Sequence, residues 1–295
     1  MIAAVVQALA LLLSGTGVAE VQALTPVQKA HLLVVAGLPA EGSFGGVLVR
    51  GWNTAAPRPR GAIVIADQEG GTVKTFTALP PWRAASQYTS ESEAEAAGRE
   101  TAVALRRAGV HVSYAPVLDT ADGPLGSRHF RRPSLGVAFA RGLGRSACVK
   151  HFPGLGSTAV STDEARVYGV VRTRDLAPFR AAVRAKVPCV MVGHAIYPRL
   201  GSRRASLEPA TYRLLRSMGF RGVAVTDSLG VLGSPYAPYW ARLAIRAGAD
   251  MVLTTRARDA ARMVEALVPL ARRGELDAKV VRVLRYRRSL GVPAP

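Results

Sequence analysis

The residues of this 295-residue chain that can do chemistry share one position. Each ends a short apolar run of the kind expected for a buried strand or lies in the segment that follows one. They are Asp67, Glu69, Asp119, Lys150, His151, His194 and Asp227. Several carboxylates with a lysine and two histidines suit glycosidic-bond cleavage, which needs a carboxylate nucleophile or base and a separate proton donor on either side of the anomeric carbon.

Other chemistries lack their sequence patterns. The chain has two cysteines but no CxxC and no HExxH, so we expect no metal of those standard types. No GxxxxGK[ST] occurs, and Gly154-Leu155-Gly156 lacks the third glycine of a dinucleotide loop. The GxSxG turn of serine hydrolases is also missing. We therefore expect an enzyme without a cofactor.

The elements that must position these residues are apolar runs alternating with amphipathic helices. Apolarity that is continuous rather than alternating is typical of strands covered on both faces. The predicted strands are Leu32–Ala36, Gly46–Val49, Ala62–Ala66, Val110–Tyr114, Ala147–Lys150, Cys189–Val192, Gly222–Thr226 and Met251–Leu253. The predicted helices include Glu91–Ala108, Leu176–Ala185, Pro209–Met218 and Ala257–Arg272.

Eight strands with helical crossovers favour an α/β fold, a single (β/α)8 TIM-type barrel over residues 25–295, above an open doubly wound sheet. The first two strands have no clear helix between them. In such a barrel the carboxyl ends of the strands share one rim, where active sites lie. The residues singled out above should therefore converge there.

The first 24 residues predict an exported protein. Ile2–Leu13 has the length of a signal-peptide apolar region, and Gly17-Val18-Ala19 offers a cleavage site. No lysine or arginine precedes the run, so a mis-chosen start codon or an extra packing helix in a cytoplasmic protein is the alternative. No later segment is apolar over the length needed to span a membrane.

The charge and the cysteines give weaker expectations. A formal net charge of +19 attracts acidic surfaces, but the arginines are spread along predicted helices. This favours solvated helix faces over an anionic partner, and we expect no specific nucleic-acid binding. Cys148 and Cys189 fall in neighbouring predicted strands; since parallel strands rarely offer disulfide geometry, free buried thiols are expected. The oligomeric state is not readable from the sequence.

Five motifs occur in one order over roughly residues 26 to 290 and resemble those of glycoside hydrolase family 3, in its β-N-acetylhexosaminidase branch. The motifs are ADQEGGTV (66–73), APVLD (115–119), KHFPGLG (150–156), GFRGVAVTDSL (219–229) and AGADM (247–251). The resemblance implies a single barrel that removes terminal N-acetylglucosamine from peptidoglycan-derived or related glycans by a retaining, covalent mechanism.

The resemblance also implies roles for individual residues. Asp227 matches the nucleophile. The residues that match sugar-binding positions are Asp67, Arg128, Lys150 and His151. His194 either lines the pocket or satisfies a neighbouring carbonyl group. Glu69 and Asp119 are expected to brace the rim through backbone hydrogen bonds.

The chain departs from the family at the loop after KHFPGLG. The branch has an Asp-Ser-His segment there, whose histidine is the general acid/base, and this chain has Asp163-Glu164-Ala165. Glu164 or Asp163 is the candidate replacement, since a carboxyl group desolvated in a folded-in loop would have a raised pKa. The alternatives are an external anion such as phosphate, an activated leaving group, or a weak or inactive barrel that binds sugar.

Overall fold

The computed structural model describes residues 15–293, and its centre is a sheet of eight parallel strands. The strands of this sheet are β1 (Val34–Gly37), β2 (Gly46–Val49), β3 (Ile63–Ala66), β6 (Val112–Ser113), β7 (Cys148–Phe152), β8 (Cys189–Val192), β9 (Val223–Ser228) and β10 (Met251–Thr254). A small hairpin, β4 (Gln68–Gly70) with β5 (Val73–Lys74), follows β3. Each predicted strand is present, and its bounds differ from the predicted ones by at most two residues.

The sheet closes on itself. Its strand order is β6-β3-β2-β1-β10-β9-β8-β7, and every neighbouring pair is parallel. Single bridges from Ser113 to Ala147 and from Val117 to Lys150 join β6 to β7, the two strands at its ends. The fold is therefore the predicted TIM-type barrel.

Helices surround the barrel, and the predicted ones are found within a few residues of their expected bounds. They are α1 (Gly15–Ala23), α2 (Pro26–Leu32), α3 (Glu91–Arg107), α4 (Pro133–Leu143), α5 (Thr173–Arg184), α6 (Pro209–Ser217), α7 (Ala237–Ala247), α8 (Ala257–Arg272) and α9 (Asp277–Leu290). The connection between β1 and β2 contains no helix. None of the helices in residues 15–293 is both long and apolar enough to cross a membrane.

The core lies inside the barrel and between the barrel and its helices. Ile63, Val112 and Val225 point into the interior, where Tyr286 of α9 also reaches. Arg287, beside it, donates to the main-chain oxygens of Gly45 and Gly61, just before β2 and β3. Helix α9 therefore covers the amino-terminal end of the barrel and leaves the carboxyl-terminal rim open.

The two cysteines correct one expectation. Cys148 of β7 and Cys189 of β8 are register partners with their Cα atoms 4.3 Å apart, and they form a disulfide. Residues in register on parallel strands point their side chains to the same face of the sheet. The two side chains are buried as expected, but they are not free thiols.

Only part of the segment used for the amino-terminal prediction lies within the described residues. The apolar run Ile2–Leu13 lies outside the described residues. Helix α1 packs against α9: Val21 is buried, and Glu20 accepts from the Arg288 guanidinium of α9 at 2.9 Å. Export stays a prediction.

Candidate active site

The residues predicted to meet at the carboxyl-terminal rim do meet there. Asp67 directly follows β3, Lys150 and His151 belong to the last part of β7, and Asp227 is the second-last residue of β9. Asp119 lies beyond β6, in a segment that pairs with β7. These strands carry buried apolar residues toward the core and end at the rim, so the polar side chains come together although they are far apart in the sequence.

Lys150 is held between two carboxylates. Its Nζ donates to Asp67 Oδ1 at 2.7 Å and contacts Glu69 Oε1 at 2.6 Å. Burial lowers the pKa of Lys150, but Asp67 and Glu69 outweigh burial and hold this pKa well above its usual value. Two of the three ammonium hydrogens are thus engaged, and the third remains for a ligand. The Asp67 side chain is 36% exposed, so its carboxylate can accept from a ligand as well.

Glu69 also holds Arg128. The guanidinium donates through Nε and Nη2 to the two oxygens of Glu69, at 2.9 and 3.0 Å. Burial raises the pKa of Glu69, and the charges of Lys150 and Arg128 overcome this, so its pKa lies below its usual value. Glu69 was expected to brace the rim through backbone hydrogen bonds. This was wrong, because its side chain forms ion pairs with Lys150 and Arg128 instead.

Asp119 holds His151. One carboxylate oxygen accepts from the His151 backbone N–H at 3.1 Å and lies 2.6 Å from its Nδ1, and the other accepts from the Leu155 N–H at 2.6 Å. A carboxylate is an acceptor, so Nδ1 carries a hydrogen and Nε2 is left for other partners. The backbone role expected for Asp119 agrees with these contacts.

Asp227 lies within the electrostatic reach of three basic side chains. Burial raises its pKa, but His194, His151 and Lys150, together with the Ser228 backbone N–H, lower it below the usual value. That N–H donates to Asp227 Oδ1 at 2.8 Å. The carboxylate is therefore ionised at neutral pH, which is the form a nucleophile requires.

His194 is fully buried, and both of its ring nitrogens have partners. Nδ1 lies 2.7 Å from the Ser206 hydroxyl oxygen, and Nε2 lies 3.0 Å from the Ser228 main-chain oxygen. Two roles were considered for His194, lining the pocket and hydrogen bonding to a neighbouring carbonyl group. These contacts correspond to the second role. Direct contact with a sugar stays a prediction.

The loop with the candidate acids is open to solvent. Asp163, Glu164 and Ala165 are exposed. The Asp163 backbone N–H donates to the Ser161 hydroxyl oxygen at 3.3 Å. Glu164 has its backbone N–H bonded to the Ser161 oxygen at 3.1 Å. The loop is joined to the segment after β8, because Tyr168 and Ile196 form a parallel bridge.

Tyr114 is a site residue that the sequence reasoning missed. Its hydroxyl is buried and has no hydrogen-bond partner, and burial raises its pKa together with the charges of Asp67 and Asp227. Its side chain lines the interior of the barrel, together with Tyr286. Tyr114 is the last residue of the predicted strand Val110–Tyr114. It would have been found if the search for site residues had included the last residue of each predicted strand.

The site as a whole is a set of fixed polar groups around an ionised aspartate. Lys150, Arg128 and His151 supply donors, and Asp67 supplies an acceptor, which is the mixture that sugar hydroxyl groups need. In residues 15–293 no group of three or more His, Cys, Asp or Glu side chains is arranged to hold a metal ion.

The sequence is similar to those of known proteins. Residues 48–286 match the model of the glycosyl hydrolase family 3 N-terminal domain. A protein named beta-hexosaminidase from Xanthomonas axonopodis pv. citri is 35% identical over 212 residues, which is 61% of this chain and 61% of that protein. One of the same name from Stenotrophomonas maltophilia is 33% identical over 229 residues, 68% of each chain. The chain thus matches less than two thirds of the Xanthomonas relative.

A solved structure gives the same result for the fold. A family 3 beta-N-acetylglucosaminidase from Paenibacillus sp. superposes with a TM-score of 0.81 at 26% identity, over 92% of this chain and 64% of the other. The match covers nearly all of the barrel.

Proposed function

This chain belongs to glycosyl hydrolase family 3, and from that membership we propose that it is an exo-acting, retaining β-N-acetylglucosaminidase. Its substrates are glycans that end in N-acetylglucosamine, and the substrate class is peptidoglycan-derived fragments. Asp227 is the nucleophile. The observation that carries the proposal is the position of Asp227 at the end of β9, on the same rim as Lys150 and His151 of β7.

The surrounding residues act in binding and orientation. Lys150 and Arg128 are fixed by Glu69 on their inner side, so their remaining hydrogens face ligand without a further loss of side-chain freedom. Asp67 accepts from a sugar hydroxyl group, and His151 offers Nε2 because Asp119 holds Nδ1. Such preorganised donors stabilise charge that develops in the transition state.

The reaction has two steps. The Asp227 carboxylate attacks the anomeric carbon, the bond to the leaving oxygen breaks, and an acid gives that oxygen a proton. Water then attacks the glycosyl-enzyme ester, gives a proton to the same group, and frees Asp227 and the sugar with retained configuration. Asp163 and Glu164, both exposed on the loop after β7, are the two candidates for the acid/base.

The test is hydrolysis of para-nitrophenyl N-acetyl-β-glucosaminide by the purified chain and by Asp227→Asn. This variant keeps the size of the side chain and removes its nucleophilic charge, so kcat/KM should fall by a factor of about 10⁴ or more. Glu265→Gln on the exposed face of α8 is the matched change of a carboxylate to an amide and should have no effect. Unchanged turnover in Asp227→Asn refutes the proposed nucleophile.

A second candidate function is sugar binding without turnover. It is favoured by one observation, the alanine at position 165 where the family has its acid/base histidine. An activated dinitrophenyl glycoside needs little acid assistance, so it separates the two functions. Binding of N-acetylglucosamine without hydrolysis of this substrate supports the binding protein, and rapid hydrolysis excludes it.

A further inference from the structure

The two ends of the barrel differ in charge, and the end opposite the candidate active site is basic. Helices and parallel strands alternate, so the carboxyl ends of the helices lie at the amino-terminal end of the barrel, which α9 covers. Exposed basic residues lie there on the last turns of helices and on the connections to the next strand. We call the following residues the basic face: Arg106, Arg107, Arg145, Lys186, Arg221 and Arg272.

The carboxylates of this end already have basic partners. Asp250, which precedes β10, lies between Arg216 and Arg282, whose nitrogens are 2.5 and 2.7 Å from its oxygens. The other pairs at this end are Glu20 with Arg288, Asp277 with Lys29, and Glu275 with both Arg246 and Arg273. Among residues 15–293, no side chain of the basic face has a carboxylate oxygen within 4.0 Å. The protein therefore leaves the charge of this face uncompensated.

The rim at the other end carries charges of both signs. It has exposed arginines, such as Arg199 and Arg256, but the exposed carboxylates Asp163 and Glu164 and the ionised Asp227 share that end. The net charge of +19 is therefore concentrated at the end that α9 covers. A surface with one sign of charge attracts partners of the opposite sign over about 10 Å at moderate ionic strength.

The helix dipole gives an ordinary explanation for arginine at a helix end, because the negative carboxyl end favours a cation in the last turn. The same dipole favours a carboxylate in the first turn. Helices α4, α6 and α7 each have an arginine in the last turn and no acidic residue in the first. Lys186 and Arg221 lie in connections, after their helices have ended. The dipole therefore accounts for only part of the basic face.

We propose that the basic face binds the surface of a lipid bilayer that contains acidic lipids. Its residues come from five separate connections around the end of the barrel, so they form a broad surface that suits a plane of charge. Guanidinium groups match the phosphate oxygens of lipid headgroups through paired N–H donors. Clustered lysine and arginine residues bind acidic bilayers in this way.

The sequence before α1 favours lipid over nucleic acid. Residues 2–13 contain no charged residue, and they join the protein at α1, whose Glu20 pairs with Arg288 of α9. An apolar segment therefore enters the chain close to the basic face. A bilayer offers both an acidic surface and a hydrocarbon interior, whereas nucleic acid offers only acidic groups.

Binding through this face gives the protein one orientation on the bilayer. Because the basic face and the rim with Asp227 are at opposite ends of the barrel, the rim then points away from the lipid. The candidate active site stays open to glycans outside the membrane. The inference concerns attachment and not turnover, so it holds or fails independently of the proposed hydrolysis.

The experiment is sedimentation of the full chain with lipid vesicles. One set of vesicles contains equal parts of phosphatidylglycerol and phosphatidylcholine, and the other contains phosphatidylcholine alone. We expect binding to the acidic vesicles at about 0.05 M salt and its loss at about 0.5 M, because salt screens exposed charges. Equal binding to the neutral vesicles, or binding to acidic vesicles that salt does not weaken, overturns the proposal.

Two variants with the same loss of charge locate the binding surface. The variant of the basic face is Arg106→Gln/Arg107→Gln/Lys186→Gln/Arg272→Gln. The control, at the rim end, is Arg131→Gln/Arg199→Gln/Arg256→Gln/Arg258→Gln, whose arginines are also exposed. Far-ultraviolet circular dichroism checks that both variants are folded.

The variant of the basic face should bind acidic vesicles about 10²-fold more weakly than the wild type, since each cation at an acidic surface contributes about fivefold. The rim control should bind within about threefold of the wild type, because its substitutions lie away from the bilayer. An equal loss in the two variants would mean that net charge alone governs binding, and it overturns the face. Binding to a DNA duplex without binding to acidic vesicles refutes the lipid partner.

Discussion

His194 Nε2 lies 3.0 Å from the main-chain oxygen of Ser228, the residue that follows Asp227. A carbonyl oxygen only accepts, so Nε2 carries the hydrogen and Nδ1 accepts from the Ser206 hydroxyl. Burial lowers the pKa of His194, although Asp227 acts in the opposite direction, and the ring is therefore neutral at neutral pH. The imidazole is neutral and forms hydrogen bonds through both ring nitrogens, and it therefore fixes the backbone beside the proposed nucleophile.

Glu69→Gln should destabilise the fold, because Glu69 is the shared partner of Lys150 and Arg128. The substitution takes the carboxylate partner from Arg128 and leaves the buried Lys150 with Asp67 alone. We expect the free energy of unfolding to fall by about 3 kcal/mol at neutral pH. Urea denaturation of the wild type and the variant measures it, with the exposed Glu265→Gln as control. A loss no larger than that of the control would contradict the role of Glu69.

The difference in unfolding free energy between the wild type and Glu69→Gln should depend on pH. The pKa of Glu69 is below the ordinary value of 4.5, because Lys150 and Arg128 together outweigh burial. A carboxylate with a depressed pKa stabilises the fold above its ordinary pKa, and this contribution is lost as the pH falls through the folded value. The difference in unfolding free energy between wild type and Glu69→Gln should therefore be constant above about pH 5 and shrink in more acidic solution.

Asp163→Asn should reveal the acid/base through its dependence on the leaving group. A lost proton donor slows glycosides with poor leaving groups by about 10²-fold or more and hardly affects an activated dinitrophenyl glycoside. Glu164→Gln is the companion variant, and the substitution that slows only the glycoside with the poor leaving group identifies the carboxylate that acts as acid/base. The measurement is kcat for the two substrates, with and without phosphate. An equal slowing of both substrates by Asp163→Asn would show a structural defect instead.

The barrel and the rim were predictable from local pattern, because each strand is a continuous apolar run with polar residues at its carboxyl end. Val223–Ser228 with Asp227 is an example. The partner of Glu69 was not predictable, since Arg128 lies on a loop 59 residues later and only the folded chain brings the two together.

The disulfide was not predicted from the sequence for a different reason. Two cysteines on neighbouring parallel strands were expected to stay apart, but their bonding depends on the register of β7 against β8, which pairs Cys148 with Cys189. A hydrophobic run of four or five residues does not specify that register to within one position. The pairing could be stated only after the sheet was known.

Loss of the disulfide should lower stability. It closes a loop of 41 residues, and a loop of that length restricts the unfolded chain by about 4 kcal/mol in the chain-entropy account. We expect Cys148→Ala/Cys189→Ala to unfold at lower urea concentration, and dithiothreitol to destabilise the wild type but not the double variant. Titration of two free thiols in unreduced, denatured wild-type protein would contradict the bond.

The pH profile of kcat/KM tests the electrostatics of Asp227. Burial alone would raise its pKa, but His194, His151 and Lys150 lower it below the ordinary value of 3.8. A nucleophile with a depressed pKa stays ionised in mild acid, so the acidic limb that it contributes should lie below about pH 4. His151→Gln removes one of these basic groups and should move that limb to higher pH, while Arg184→Gln, which is exposed on α5, should not. An acidic limb near neutrality in the wild type, unmoved by His151→Gln, would mean that burial governs the pKa of Asp227.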